Sequence, residues 1–467
     1  MIRFGQYAVV SGRRSFSRKA LWSEFVNLEK ILNAEVKLGD LVLLLSSESK
    51  WFVFFVDFLI SRGIAVSIVS PEVGAEKLLA LIERYKPNVL LADPDIVTDS
   101  LSDLPIVARP GVRGIYKPAK IKEMEPVSRD LALLLFTSGS TGSPQACKIS
   151  KLNLCSSLDQ IVHSLDLCGN DSTITTLHFD YIYGLSVLLS HMYVGGSVML
   201  NTDSIMSDGF LHKTQLLENF NLNLVPAQFE LLQRLGFDRI FKSSIKFITQ
   251  AGGKLPTWLA EEIQAQCERR RIGFYIMYGQ TEASPRICVN PVHLKLFSIA
   301  SVGVPVKNGN IRLKDKDRCG AGEIMFSGPN VFCGYALTRE DLSACKPEPE
   351  LATGDLGCID RSGGLLITGR KKRIGKISGR RINLEFLDEK LSELCNINFY
   401  SFEVEGKLVI FHHPITINFS LARQLLREQK INPALVEFRK LIKTPLTESG
   451  KIDLGALQTI AQTNELA

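Results

Sequence analysis

"DLVLLLSSESKWFVFFVDFLISRGIAVSIVS", Asp40 to Ser70, decides the architecture. Asp40–Ser47 carries a short continuous apolar run, Trp51–Arg62 is long enough for a helix, and Gly63–Ser70 is rich in β-branched residues. This is β-α-β order. It continues through a helical spacing over Glu76–Tyr85 into the strand-like Pro87–Asp93, so the spacing predicts a largely parallel sheet covered by helices. The apolar stretch Trp51–Ile60 is about half the ~20 residues that a membrane span needs, and Asp57 interrupts it.

Farther along, the same order predicts helices over Asn153–Asp166, Leu185–Tyr193 and Pro256–Arg270. Strands are expected over Thr173–Phe179, Gly196–Asn201, Lys246–Gly253 and Gly273–Glu282. From about Gly303 the spacing shortens to hairpins, as in "GEIMFSG" (Gly322–Gly328) and "LLITGR" (Leu365–Arg370). Between Gly369 and Arg381, "GRKKRIGKISGRR" holds seven Lys or Arg and three Gly in thirteen residues, the composition of a solvated linker. Beyond it, Asn383–Leu394 and Ser420–Gln429 read as helices and Lys407–His413 as a strand, enough for a small separate domain.

At 467 residues, 45% apolar and 22% charged, the chain exceeds a single core and implies two or more units. A net charge of +6 is modest for this length. The basic run lacks interleaved aromatics, so no nucleic-acid partner is expected. Ten cysteines without C-x-x-C spacing, no signal-peptide pattern and no transmembrane segment imply free thiols and a cytoplasmic setting.

The chemistry concentrates in "LLLFTSGSTGSPQACKIS", Leu133–Ser150, where a buried-looking strand runs into seven consecutive Thr, Ser or Gly residues, Thr137 to Ser143. Such a loop can turn backbone N–H groups and hydroxyls toward one point, which suits phosphate oxygens. It lacks the Gly-Lys-Ser/Thr spacing of a Walker A motif. The alternative is an ordinary flexible turn, but a turn seldom needs seven such residues in a row, so Thr137 to Gly142 favours phosphate binding.

This loop resembles the phosphate loop of the adenylate-forming superfamily of acyl-CoA synthetases, luciferases and nonribosomal peptide synthetase adenylation domains. Further motifs follow in that family's order: "YGQTEAS" (Tyr278–Ser284), "TGDLG" (Thr353–Gly357), "GRKKRIGKISGRRINL" and "PLTESGKID" (Pro445–Asp453). The resemblance implies an α/β fold. A large N-terminal AMP-binding domain, residues 1–371, would combine mixed and parallel sheets under helices with a β subdomain, and a small mobile α+β lid, residues 372–467, would pivot about Lys372. It also implies an ATP-dependent acid–thiol ligase that makes an acyl-AMP, releases pyrophosphate and passes the acyl group to coenzyme A or a carrier protein's phosphopantetheine. Amino acid adenylation and a catalytically degraded nucleotide binder are the alternatives.

By the same resemblance Thr137, Ser138, Gly139, Ser140, Thr141 and Gly142 hold phosphates. Glu282 binds Mg²⁺, a hard cation that prefers oxygen ligands. Tyr278, Gly279, Gln280 and Thr281, with Gly252 and Gly253 of "QAGGKLP", surround the adenine, and Asp355 and Arg370 take the ribose hydroxyls. Lys451 is the mobile cation between the α-phosphate and the carboxylate. Two anions must meet for this reaction, so converging positive charge and oriented donors are what it requires.

Two departures stand out. Pro144-Gln145-Ala146 replaces the family's Pro-Lys-Gly, leaving Lys148 as the candidate substitute cation, and the chain is short for the family. In "LHFDYIYGLSVLL", Phe179, Tyr181 and Tyr183 are either walls of an acid tunnel or core. Asp180 is a candidate for binding a substrate ammonium.

Overall fold

The computed structural model describes residues 2–11, 14–94, 106–108, 114–118, 125–137, 145–242, 244–318, 320–371, 373–377, 380–395, 397–413, 419–429, 431–446 and 452–463. The opening stretch forms the strand Leu41–Leu45, the helix Lys50–Arg62 and the strand Ala65–Val69. The two strands pair in parallel, and every residue of both is buried. Burial on both faces is why each reads as an unbroken apolar run rather than an alternation.

The helix between them is buried from Phe52 through Ile60, and Ser49 caps its first turn. Asp57, the charge inside that apolar run, is fully buried. Its carboxylate accepts hydrogen bonds from Arg18 Nε at 2.8 Å, Tyr7 Oη at 2.7 Å and Trp22 Nε1 at 2.8 Å. Pairing makes the buried charge tolerable. The same contacts fasten the N-terminal segment, whose strands Ala8–Ser11 and Arg14–Ser17 and helix Val26–Glu35 lie before any element read from the sequence.

Among the described residues an eight-stranded sheet has the parallel strands 131–137, 65–69, 41–45 and 89–91 at its centre, with antiparallel strands on both flanks. A nine-stranded sheet runs in parallel through 273–278, 245–250, 220–224, 172–174, 197–200 and 8–11. A four-stranded antiparallel sheet covers 310–370. The last two hydrophobic clusters draw only on residues from Ile377 onward, built on the helix Leu384–Cys395 and strands 399–404, 407–412 and 436–440. No described helix is long and apolar enough to cross a membrane.

One expected strand is shorter than its apolar pattern. Thr173–Phe179 is strand only through Ile174: Thr175 makes the last contacts to the neighbouring strand, its amide donating to the Met199 carbonyl at 3.0 Å and its hydroxyl to the Asn201 carbonyl at 3.1 Å, and the chain then turns toward the helix Ile182–Val194. Phe179 is buried by stacking on Phe52, with ring centroids 5.1 Å apart, and not by the sheet.

Candidate active site

The carboxyl ends of the parallel strands open onto one cavity of about 860 Å³. This is where open α/β sheets place their ligands. The strand Ile245–Gln250 delivers Ala251 to Gly253, and the strand Gly273–Tyr278 delivers Gly279 to Glu282. The antiparallel sheet contributes Asp355 and Arg370, and the C-terminal region contributes Leu446 and Asp453. The expected adenine, ribose and metal residues therefore share one space.

Local structure explains each placement. Gly252 has φ +88°, a left-handed backbone that a side chain would strain, and Gln250 Nε2 donates to the Gly253 carbonyl at 2.7 Å to close that turn. At Gly279 a Cβ would lie 1.7 Å from the Pro285 carbonyl oxygen, so only glycine lets the chain double back there. Gln280 Nε2 is buried on the cavity wall without a hydrogen-bond partner among the described residues. A buried unpaired donor is costly unless a ligand satisfies it.

Asp355 and Arg370 are paired across neighbouring strands, with Arg370 Nε 3.0 Å from Asp355 Oδ1. Tyr278 Oη donates to Asp355 Oδ2 at 2.6 Å, and burial followed by the adjacent carboxylate pushes the phenol pKa well up. Asp355 is only 6% exposed, whereas Arg370 keeps 60% of its side chain in solvent. The carboxylate is thus rigidly presented and the guanidinium can still reach a ligand. Glu282 sits in the short turn Thr281–Ala283 and accepts a hydrogen bond from Tyr335 Oη at 2.6 Å. Burial first and then this carboxylate raise the Tyr335 pKa.

Several expected residues lie outside the described residues: Ser138, Gly139, Ser140, Thr141 and Gly142, the pivot Lys372, and Lys451. Thr137 ends the strand Leu131–Thr137. Asp453, two residues past Lys451, lines the cavity.

The expectation for Lys148 is corrected. Its Nζ donates to the carbonyls of Asp341 at 2.9 Å and Ala344 at 3.1 Å, and it does not line the cavity. Strand alternation opposite Leu134 turns it away. Of the three aromatics, Tyr181 and Tyr183 line the cavity beside Asp180 and Phe179 is core.

Sequence reasoning missed four cations on the cavity wall: Lys77 and Arg84 of the helix Ala75–Tyr85, Lys254, and Arg286. Arg286 had a legible signal, a single charge four residues past Glu282 and directly before the apolar run Ile287–Val289.

A glycine-lined nucleotide cleft with a held carboxylate–guanidinium pair defines a nucleotide-binding enzyme class, and the comparisons identify it. Residues 3–336 match the AMP-binding enzyme family, and the chain belongs to that family. A 2-succinylbenzoate–CoA ligase of Bacillus cereus is 27% identical over 372 residues, which cover 78% of this chain and 74% of that enzyme. The o-succinylbenzoate CoA synthetase MenE of Bacillus subtilis, solved with the acyl-adenylate OSB-AMP, superposes with a TM-score of 0.77 at 20% identity over 97% of this chain and 95% of that one. The amide bond synthetase McbA of Marinactinospora thermotolerans gives a TM-score of 0.78 at 19% identity, covering 98% and 97%. These two likenesses establish the fold.

Proposed function

We propose that this chain is an AMP-forming acid–coenzyme A ligase. A substrate carboxylate oxygen attacks the α-phosphorus of ATP, the bond to the β-phosphate oxygen breaks and pyrophosphate leaves. The thiolate of coenzyme A then attacks the acyl carbon and AMP departs. The observation that carries this reading is the cavity joining Gly252 to Gly253, Tyr278 to Glu282, Asp355, Arg370 and Asp453. The nucleotide fits it: Gln280 offers an unfilled donor, and the Asp355–Arg370 pair suits two vicinal hydroxyls.

Among the described residues no three His, Cys, Asp or Glu side chains cluster as a metal cage. Glu282 would therefore hold Mg²⁺ together with phosphate oxygens and water, as this cation favours, and the ion would offset phosphate charge. Ser138 to Gly142 would cradle the phosphates. Coenzyme A and 2-succinylbenzoate come from the name of the Bacillus cereus relative, which makes them the first acceptor and acid to test. Residues 372–467 would act as the lid that carries Lys451, with 1–371 as the body. Nine described cysteines are free, which supports a cytoplasmic setting.

The test is acid-dependent ATP–pyrophosphate exchange over aryl, fatty, dicarboxylic and amino acids, followed by thioester formation with coenzyme A. Exchange with a carboxylic acid and thioester formation are expected. Exchange with amino acids alone would replace the reading by amino acid adenylation. ATP binding without exchange by any acid would leave a degraded nucleotide binder, the outcome that Gln145 favours. Lys451→Ala should lower exchange by about a hundred- to thousandfold, the usual cost of one transition-state donor.

A further inference from the structure

Arg286 is 4% exposed, yet it lines the cavity. Among the described residues its Nε has no hydrogen-bond partner, and no carboxylate lies within ion-pairing distance of its guanidinium. Every other described cation on the cavity wall is more exposed than this one. An unpaired buried charge is among the most costly arrangements a fold can hold, and a ligand of opposite charge relieves it.

Its position is built. Asn330 Nδ2 donates to the Arg286 carbonyl at 2.7 Å and to the Ala283 carbonyl at 2.6 Å, fixing the backbone on either side of Pro285. The guanidinium carbon lies 4.8 Å from the centre of the Tyr183 ring. Tyr183 is itself held from behind. Its hydroxyl shares a 2.6 Å hydrogen bond with Thr249 Oγ1, which donates to Asn223 Oδ1 at 2.6 Å. Asn223 Nδ2 donates to Asn221 Oδ1 at 2.8 Å, and Asn221 Nδ2 donates to His191 Nε2 at 2.9 Å. All five side chains of that chain are buried. The stacked arginine therefore has little freedom to swing away.

Burial lowers the Arg286 pKa, and the side chains that lie nearest its charge are the neutral phenols Tyr183 and Tyr181 of the aromatic wall. From this placement we infer that the activated acid carries a second carboxylate, which binds Arg286 while the first is adenylated. A planar guanidinium takes a carboxylate through two parallel hydrogen bonds, and burial excludes competing water. The inference rests on the ligase reading above and names its substrate class. A purely apolar acyl chain would leave the charge unpaired at every turnover.

The experiment compares 2-succinylbenzoate, adipate and phenylsuccinate, each beside its monomethyl esters, in ATP–pyrophosphate exchange. The parent protein should use at least one diacid with kcat/KM about a hundredfold above its monoesters, the scale of discrimination when a buried polar group is left unpaired. Arg286→Met should lower the diacid value by about the same hundredfold while changing the monoester value less than about threefold. Mg-ATP binding by the variant reports its folding. Should Arg286→Met fail to fold, Arg286→Lys should raise the diacid KM with kcat retained.

Parent activity confined to monocarboxylates, or equal for diacid and monoester, would overturn the inference and leave the ligase reading standing. So would an equal loss of both substrates in Arg286→Met, which would place the guanidinium on the reacting carboxylate. No exchange with any acid would remove the ligase reading and this inference with it.

Discussion

At Asp355 the whole ribose assignment turns on one carboxylate. Replacing it by asparagine keeps the shape but removes the charge that Arg370 and Tyr278 both address. Asp355→Asn should raise the KM for Mg-ATP about ten- to hundredfold, the worth of hydrogen bonds to a charged group, with a smaller change in the KM for the acid. His191 offers a test of stability instead. It is fully buried, and desolvation pushes its pKa down to about 4. The unfolded ring takes up a proton near pH 6.5 that the folded ring refuses, so stability should fall as pH drops from about 6.5 toward 4, by roughly 3 kcal/mol at the lower end. Thermal melts over that range should show a shallower acid slope for His191→Gln than for the parent. At this scale the sequence shows residue types and not directions. "YGQTEAS" was readable through its resemblance to a family motif, but Lys148 looked available until strand alternation turned it toward the Asp341 and Ala344 carbonyls. Arg286 was passed over because its one local signal, a lone charge before an apolar run, does not say that the side chain packs against Tyr183.

The helix Ala75–Tyr85 shows how an element can supply what a motif lacks. Lys77 and Arg84 are seven residues apart, two turns along one face, and both line the cavity. In the proposed ligase they would supply the phosphate-side cation that Gln145 does not. Lys77→Ala with Arg84→Ala should raise the KM for Mg-ATP about fivefold or more at low salt, with the difference shrinking as salt screens the exposed charges. Elements with long uniform patterns were legible: the buried strands Leu41–Leu45 and Ala65–Val69 and the helix Lys50–Arg62 follow directly from apolar runs of distinct length. The segment Thr175–Tyr181 was not, since its apolar residues are buried by tertiary packing on Phe52 while its hydroxyls bond to neighbouring strands. The N-terminal strands were missed because their register is fixed by partners far away, Ala8 lying opposite Ser197.

Over the whole molecule the two groups of hydrophobic clusters share no residue. Three clusters end at Ile367, and the other two begin at Ile377. Polar contacts bridge them, Lys254 to Glu389 at 2.6 Å and Asn398 to Glu230 at 2.5 Å. Exposed or half-buried pairs of this kind add little to stability. Calorimetry of the unliganded protein should therefore resolve two unfolding transitions, and one merged transition would show tight coupling between the groups. The partition also bears on synthesis. Every described strand of the two large sheets lies before residue 337, with each pairing partner upstream of the basic run. The larger body can complete its tertiary structure while the last segment is still inside the ribosome, because vectorial folding of this chain needs nothing that has yet to emerge.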